Sequence, residues 1–364
     1  MRCSRHRPEP HGTVRRMKCV ALIVLVLSVC LAGTVGAGAP EALDWLKGQQ
    51  APDGGFGQPS GVGATIDAAL AITAAGDDLT NWQVGGNSPI DFLRSNVSQV
   101  EGAGVTAKLA LALAPAGLDP TDFGGVDLAR ALEDSYDSAT GRFDGESGTV
   151  PGQALAIMAL ESVGRPVEKK AINWLVDAQG EDGSWAWNGD PATQGDTNTT
   201  ALAIQALAAV NARPDVVDRA LAYLKQVQND DAGWPYQKPS DYGTDTDANS
   251  TANVLQALYA VNADLSDWAV DASSPVDALL SLQKENGAFQ WQAAVPDDNF
   301  LATVQAVPAL AGKSFPLASM SSGVAKPAEL PATGGSPTWG LAGLLSLAGL
   351  AVALAGLSQR RLKA

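Results

Sequence analysis

Trp174-Leu175-Val176-Asp177-Ala178-Gln179, leading into Asp182-Gly183-Ser184-Trp185, is the stretch on which the fold turns. It recurs as Trp45-Leu46-Lys47-Gly48-Gln49-Gln50 leading into Asp53-Gly54-Gly55-Phe56. The same frame runs from Gln228 to Gly233-Trp234 and from Gln283 to Gly287-Ala288-Phe289, and a degenerate copy ends in Gly141-Arg142-Phe143. The frame aromatics at 56, 143, 185, 234 and 289 are separated by 87, 42, 49 and 55 residues. The first gap is about twice the others, so one repeat without the frame lies inside it, over Phe92-Leu93 and Val105 to Ala114. Six repeats therefore fill Pro40 to Phe315, each of the length expected for a two-helix unit.

Each repeat opens on a short helix with charge on one face, such as Ala171 to Ala178 or Val217 to Val227. A Gly-rich turn with the aromatic follows. A second helix, rich in Ala and Leu, completes the unit, over Thr65–Ala75, Val105–Ala114, Gly152–Val163, Thr199–Val210, Ser250–Val261 and Asn299–Ala311. A helix apolar nearly all round has to be buried. Polar helices outside and apolar helices inside satisfy both patterns, and six pairs can close into a barrel, leaving no end of the stack to cap. An open solenoid satisfies the local pattern as well.

The two ends read as targeting devices. Arg2, Arg5, Arg7, Arg15, Arg16 and Lys18 precede an apolar run from Cys19 to Ala32, and Val35-Gly36-Ala37 offers a small-x-small cleavage site. This is the layout of a secretory signal peptide, over residues 1–37, with lipoprotein processing at Cys30 as the rival reading. A linker at 316–329 leads to Leu330-Pro331-Ala332-Thr333-Gly334. An apolar stretch from Trp339 to Leu357 and the basic residues Arg360, Arg361 and Lys363 complete the segment 330–364. That ordered trio resembles the LPxTG cell-wall sorting signal of bacterial surface proteins. The resemblance implies a sortase as processing partner, joining Thr333 to the envelope, and a transmembrane segment at 339–357 before processing. A plain membrane anchor is the alternative, and either one displays the domain outside the cytoplasm.

The chain has 364 residues and a formal net charge of −15. Residues 1–37 hold six Lys/Arg and one acid, and 335–364 hold three Lys/Arg and no acid. The span 38–334 thus keeps 15 basic and 38 acidic side chains, a net −23. Such a surface repels phosphate backbones, which argues against nucleic-acid binding. All three Cys (Cys3, Cys19, Cys30) and both His (His6, His11) fall in the first 30 residues. The repeat region therefore has no disulfide framework, no Cys or His zinc ligand, no Cys nucleophile and no His base. No cofactor is called for.

The frame Q-x-x-[DN]-G-x-[WF] resembles the QW-type repeats of squalene–hopene cyclases. The six-pair arrangement is similar to prenyltransferase β-subunits and to transcobalamin-like vitamin B12 carriers. The resemblance covers about residues 40–315 and implies an all-α, α6/α6 toroid at 38–315. It also implies that Gln50, Gln179, Gln228 and Gln283, with Phe56, Trp185, Trp234 and Phe289, are structural staples, and that a ligand would sit in the central cavity near the starts of the inner helices.

Two inner-helix starts carry polar runs, Asp196-Thr197-Asn198-Thr199-Thr200-Ala201 and Asp247-Ala248-Asn249-Ser250-Thr251-Ala252. Such residues cap free backbone N–H groups. Against the D-x-D-D-T-A motif of class II terpene cyclases, the acid position is Asn198 or Asn249, and an amide cannot protonate an alkene. A shifted alignment takes Asp245 and Asp247 as the catalytic carboxylates, where paired acids can raise one pKa enough to hold a proton. Asp245 to Asn249 lack the Gly and Glu of a Ca²⁺ loop, and no metal site is assigned. Zinc-dependent prenyl transfer fails for want of Cys and His. Asp196, Asn198, Asn249, Trp187, Tyr236 and Trp291 are the candidate ligand-binding residues.

The sequence thus favours a surface-anchored toroid acting as a ligand-binding or structural module. An isoprenoid cyclase using a carboxylate acid and a cobalamin-binding domain are the alternatives, with an apolar isoprenoid or a cobalamin-like molecule as ligand.

Overall fold

The computed structural model describes residues 36–317 except Tyr242, all within one compact unit. The expected sorting signal and nearly all of the expected signal peptide lie outside the described residues. Among the described residues, no helix is long and apolar enough to cross a membrane.

Among the described residues, twelve α-helices alternate between two rings. The inner ring is α2 (Val62–Ala74), α4 (Ala103–Leu113), α6 (Val150–Ser162), α8 (Thr197–Ala209), α10 (Ala248–Ala260) and α12 (Phe300–Leu310). The outer ring is α1 (Ala39–Lys47), α3 (Pro89–Ser95), α5 (Leu128–Ser135), α7 (Lys169–Asp177), α9 (Pro214–Val227) and α11 (Pro275–Leu280). Each inner helix packs on the next, and α12 packs on α2, so the ring is closed and the open solenoid is excluded. The first outer helix, α1, packs on the last inner helix, α12.

Composition explains which helix goes where. In α6 no polar face exists, and nine of its residues from Val150 to Leu160 are buried. On α5 the buried set is Leu128, Ala129 and Leu132, one stripe of a helix otherwise in water. The abundant Ala of the inner ring lets neighbouring backbones approach closely.

Helix starts are chemically marked. Asp127, Thr149, Asp196, Asp247 and Asn299 accept from backbone N–H groups in the first turns of α5, α6, α8, α10 and α12. Ser88 with Asp91 and Ser274 with Asp277 form full capping boxes on α3 and α11. A cap of this kind contributes about 1 kcal/mol.

The repeated frame is a staple, as the resemblance implies, and its geometry is now explicit. Gln50, Gln179, Gln228 and Gln283 each donate from Nε2 to two carbonyls. One belongs to their own turn (Gly54, Gly183, Ala232, Gly287), the other to the next repeat (Trp82, Val216, Trp268, Gly38). The last of these, Gln283 to Gly38 at 2.7 Å, joins the sixth repeat to the first. In the degenerate copy, on the hairpin of β1 (Tyr136–Asp137) and β2 (Arg142–Phe143), Gln153 of α6 takes over and donates to Gly141 and Ala171.

Each frame aromatic is bound at its own amide. Phe56, Trp185, Trp234 and Phe289 donate their N–H groups to Thr65, Thr200, Thr251 and Thr303 of the following inner helix. The indoles of Trp185 and Trp234 donate to Leu175 and Leu224 on the outer helix. The frame Gly is needed for its backbone: Gly183 sits at φ 91, where an added Cβ would strike the Arg219 carbonyl. In the fifth repeat Ala232 occupies the equivalent left-handed position, at φ 71.

Candidate functional site

The inner ring encloses a cavity of about 220 Å³. Its walls are apolar at Leu70, Leu111, Leu155, Leu202 and Val304. Pro151 and Asn198, the second residues of α6 and α8, also line it, so it reaches the end of the ring where the inner helices begin. Phe315 lines it at the other end, where its N–H donates to Gln205 Oε1 at 3.1 Å.

Two charges face this space. Asp67 of α2 and Lys108 of α4 hold the same place in adjacent inner helices and pair at 2.8 Å. Amides supply the remaining polarity. Asn249 donates to Gln305 Oε1 at 2.7 Å, and Gln305, Gln256 and Asn253 line the cavity. Asn198 Oδ1 is buried with no hydrogen-bond partner.

The expected catalytic pair stands elsewhere. Asp245 is exposed in the loop before α10, and its carbonyl accepts from Gln292. Asp247 is buried as the cap of α10, with Oδ1 accepting from Ser250 N at 2.7 Å and Oδ2 from Ser250 Oγ at 2.9 Å. Neither lines the cavity. The cap position explains this: its side chain turns onto the helix's own first-turn N–H groups rather than toward the ring axis. Burial pushes the Asp247 carboxyl up to about 6, against the pull of hydrogen bonds from Ser250 and from the Tyr236 and Asn249 backbone.

Asp196 caps α8 in the same way, accepting from Thr199 N at 2.8 Å. Burial raises its pKa too, opposed by hydrogen bonds from Thr199 and from the Tyr236 hydroxyl. That phenol is in turn pushed up to about 12, by burial and by the Asp196 charge.

Trp187, Tyr236 and Trp291 are exposed by 60%, 48% and 38%. Each lies two residues past a frame aromatic that is fully buried. Their carbonyls accept the first N–H of α6 (Val150), α8 (Thr197) and α10 (Ala248) at 3.1, 2.8 and 2.9 Å. They therefore follow one another along the rim where the cavity reaches the inner-helix starts. Of the six expected ligand-binding residues, Asn198 lines the cavity and Asn249 reaches it through Gln305. Asp196 is a cap beneath Tyr236, and the three aromatics form the rim.

Asp67, Lys108, Gln305 and Phe315 were missed by reasoning from sequence. A signal existed for the first two. Apart from Glu161 at the end of α6, they are the only charged residues in the six inner helices. Among the described residues, no three His, Cys, Asp or Glu gather as metal ligands.

Residues 143–321 match the squalene-hopene cyclase C-terminal domain family, and residues 6–101 match the prenyltransferase alpha-alpha toroid domain family. The chain is an α/α toroid. The apo type II terpene cyclase MstE from Scytonema superposes with a TM-score of 0.54 at 13% identity, over 75% of this chain and 96% of that one. A single-substitution variant of that enzyme, in complex with its substrate geranylgeranyl dihydroxybenzoate, gives 0.54 at 13% identity, over 76% and 96%. A protein from Actinoplanes gives 0.52 at 16% identity, over 76% and 98%. At these identities the likeness establishes the toroid fold. No curated protein matches the chain by sequence.

Proposed function

We propose that this chain is a terpene-cyclase-like toroid that takes a short isoprenoid molecule in its central cavity. The observation that carries the reading is the cavity wall, apolar on five of the six inner helices, lined by Asn253 and Gln256 on α10, and broken by a single ion pair. Such a site stabilises an apolar chain by removing it from water, at roughly 25 cal/mol per Å² buried. The volume of about 220 Å³ lies below the ~300–1,000 Å³ of pockets for drug-sized ligands. It favours a short prenyl chain over a molecule of cobalamin's bulk.

Thermal shift with geraniol, farnesol, geranylgeraniol and cobalamin tests this. A ligand of the native state alone, at a hundred times its Kd, adds about 2.7 kcal/mol to stability. Geraniol is expected to raise Tm most. If no prenol raises it, the cavity is not an isoprenoid site.

Cyclisation by a carboxylate acid is the second reading, supported by the likeness to type II terpene cyclases and by a carboxyl at Asp247 that titrates near 6. It requires the cap of α10 to open toward the cavity, because both Asp247 oxygens are engaged by Ser250. Incubation with prenols and squalene, followed by gas chromatography and mass spectrometry, tests it: a cyclic product lost in Asp247→Asn supports the reading, and no product rejects it.

The Leu330–Gly334 pentapeptide with its apolar and basic followers supports display at the cell envelope through sortase. Thr333→Ala is expected to release the chain from the wall fraction, and retention there would reject sortase linkage.

A further inference from the structure

We propose that the rim formed by Trp187, Tyr236 and Trp291 is a head-group site, which makes the ligand a neutral glycoside of a short isoprenoid, its sugar on the rim and its tail in the cavity. The inference rests on the isoprenoid reading of the cavity and adds the second half of the molecule.

Three observations carry it. First, the rim adjoins the cavity through the backbone. The Trp187 carbonyl holds Val150, next to cavity-lining Pro151, and the Tyr236 carbonyl holds Thr197, next to cavity-lining Asn198. Second, the rim is rigid although its rings face solvent. Beyond those carbonyl bonds, Gln237 donates to the Gly195 carbonyl at 3.0 Å and Gln194 to the Pro239 carbonyl at 2.8 Å, tying two successive turns together. Rings that served only packing would be buried, as Trp185, Trp234 and Phe289 are two residues earlier. Preorganised aromatic faces are what a ligand with a flat apolar face needs, because little side-chain entropy is lost on binding. Spacing of about one inner-helix separation, roughly 8–10 Å, spreads the rings along the rim.

Third, the cavity end offers an unpartnered acceptor and no free wall cation. Asn198 Oδ1 has no partner, and the Tyr236 hydroxyl is given to Asp196. Lys108, the cation in the cavity wall, is paired with Asp67. With a net −23 over 38–334, a phosphate or carboxylate head is repelled. A sugar meets each demand: its C–H face stacks on indole or phenol, a hydroxyl can donate to an amide oxygen such as Asn198 Oδ1, and it carries no charge.

Calorimetric titration of the full chain with geraniol and with geranyl β-glucoside tests the inference. The glucoside is expected to bind about tenfold tighter than geraniol. Trp187→Ala, Tyr236→Ala and Trp291→Ala are each expected to shrink that preference about three- to tenfold, the range of one aromatic stacking contact. If geraniol binds and the glucoside shows no preference, or if the preference survives all three substitutions, the head-group site is wrong and the cavity reading stands. If neither probe binds, both fall. Binding to neutral phosphatidylcholine vesicles that the same substitutions abolish would reassign the rim to a bilayer and overturn the glycoside assignment.

Discussion

The two halves of the ring are built on one plan and finished differently. In the half from α7 to α12, every turn carries the frame Gln and aromatic, with Ala232 in the Gly position of the fifth repeat, and each buried aromatic is followed two residues later by an exposed one. Its inner helices α8 and α10 start on buried carboxylates, Asp196 and Asp247. In the half from α1 to α6, the frame is complete once, degenerate once and absent once. Its inner helices start on Gly61, Gly102 and Thr149, and Asp67 and Lys108 stand inside the ring. The difference separates two demands. The staple can be rebuilt from another position, as Gln153 shows, so the fold tolerates loss of the frame. The polar and aromatic groups of the cavity and rim have no such substitutes and divide between the halves.

The largest expected effect tests the paired aromatics. Trp234→Ala empties a fully buried site and frees the Leu224 carbonyl, so it is expected to cost about 3–5 kcal/mol in urea unfolding. Tyr236→Ala, two residues on, is expected to cost far less, about 1 kcal/mol for its one hydrogen bond to Asp196. Similar losses at both positions would erase the distinction between packing ring and rim ring.

The pH dependence comes next. The Asp247 carboxyl is raised from 3.8 to about 6 in the fold, so the native state binds more protons than the unfolded chain between those values. Stability from this group is fully present below about pH 4 and is lost as pH rises through 6, by an amount on the order of 3 kcal/mol. Asp196, raised in the same direction, adds to the slope. Asp247→Asn keeps an amide oxygen for the cap and removes the titration, and should flatten urea midpoints between pH 4 and 6. An unchanged slope in that variant would mean that the capping acids do not set the half apart. The other half has Gly and Thr at the matching positions and contributes nothing there.

Lys108→Met tests the half with the internal charges. Both partners are partly solvated, so the pair contributes little, and the loss is expected at about 1 kcal/mol. Most of it should return when Asp67→Asn is added, and a double-mutant cycle measures this. The smallest change is a gain. Ala232 takes the left-handed backbone that the frame gives to Gly elsewhere, at roughly 1 kcal/mol, so Ala232→Gly should raise stability by about that amount.

Much of the ring was legible because its signals are local. The inner helix expected at Thr199–Val210 is observed at Thr197–Ala209, and the one at Ser250–Val261 at Ala248–Ala260, since a helix apolar on every side has one destination. The outer helix expected at Val217–Val227 starts three residues earlier, at Pro214, a residue suited to a first turn. The site was less legible because it is assembled across repeats. Asp67 and Lys108 are 41 residues apart and meet only when α2 and α4 lie side by side. Phe315 follows the last helix, and nothing local directs it to the cavity. Asp245 and Asp247 were drawn to the centre by a motif, whereas the cap geometry of α10 turns Asp247 onto backbone.

Ring closure has a consequence for the order of assembly. Of the described helices α1 is made first, yet its seat is on α12, and the bond from Gln283 to Gly38 spans 245 residues. Contacts this distant in sequence slow folding, because the loop must close before they contribute. A nascent chain therefore carries the apolar face of α1, with Leu43 and Leu46, uncovered until the sixth repeat emerges. Among the described helices the last synthesised shelters the first, and the interval between them is when the ring is most exposed to aggregation and proteolysis.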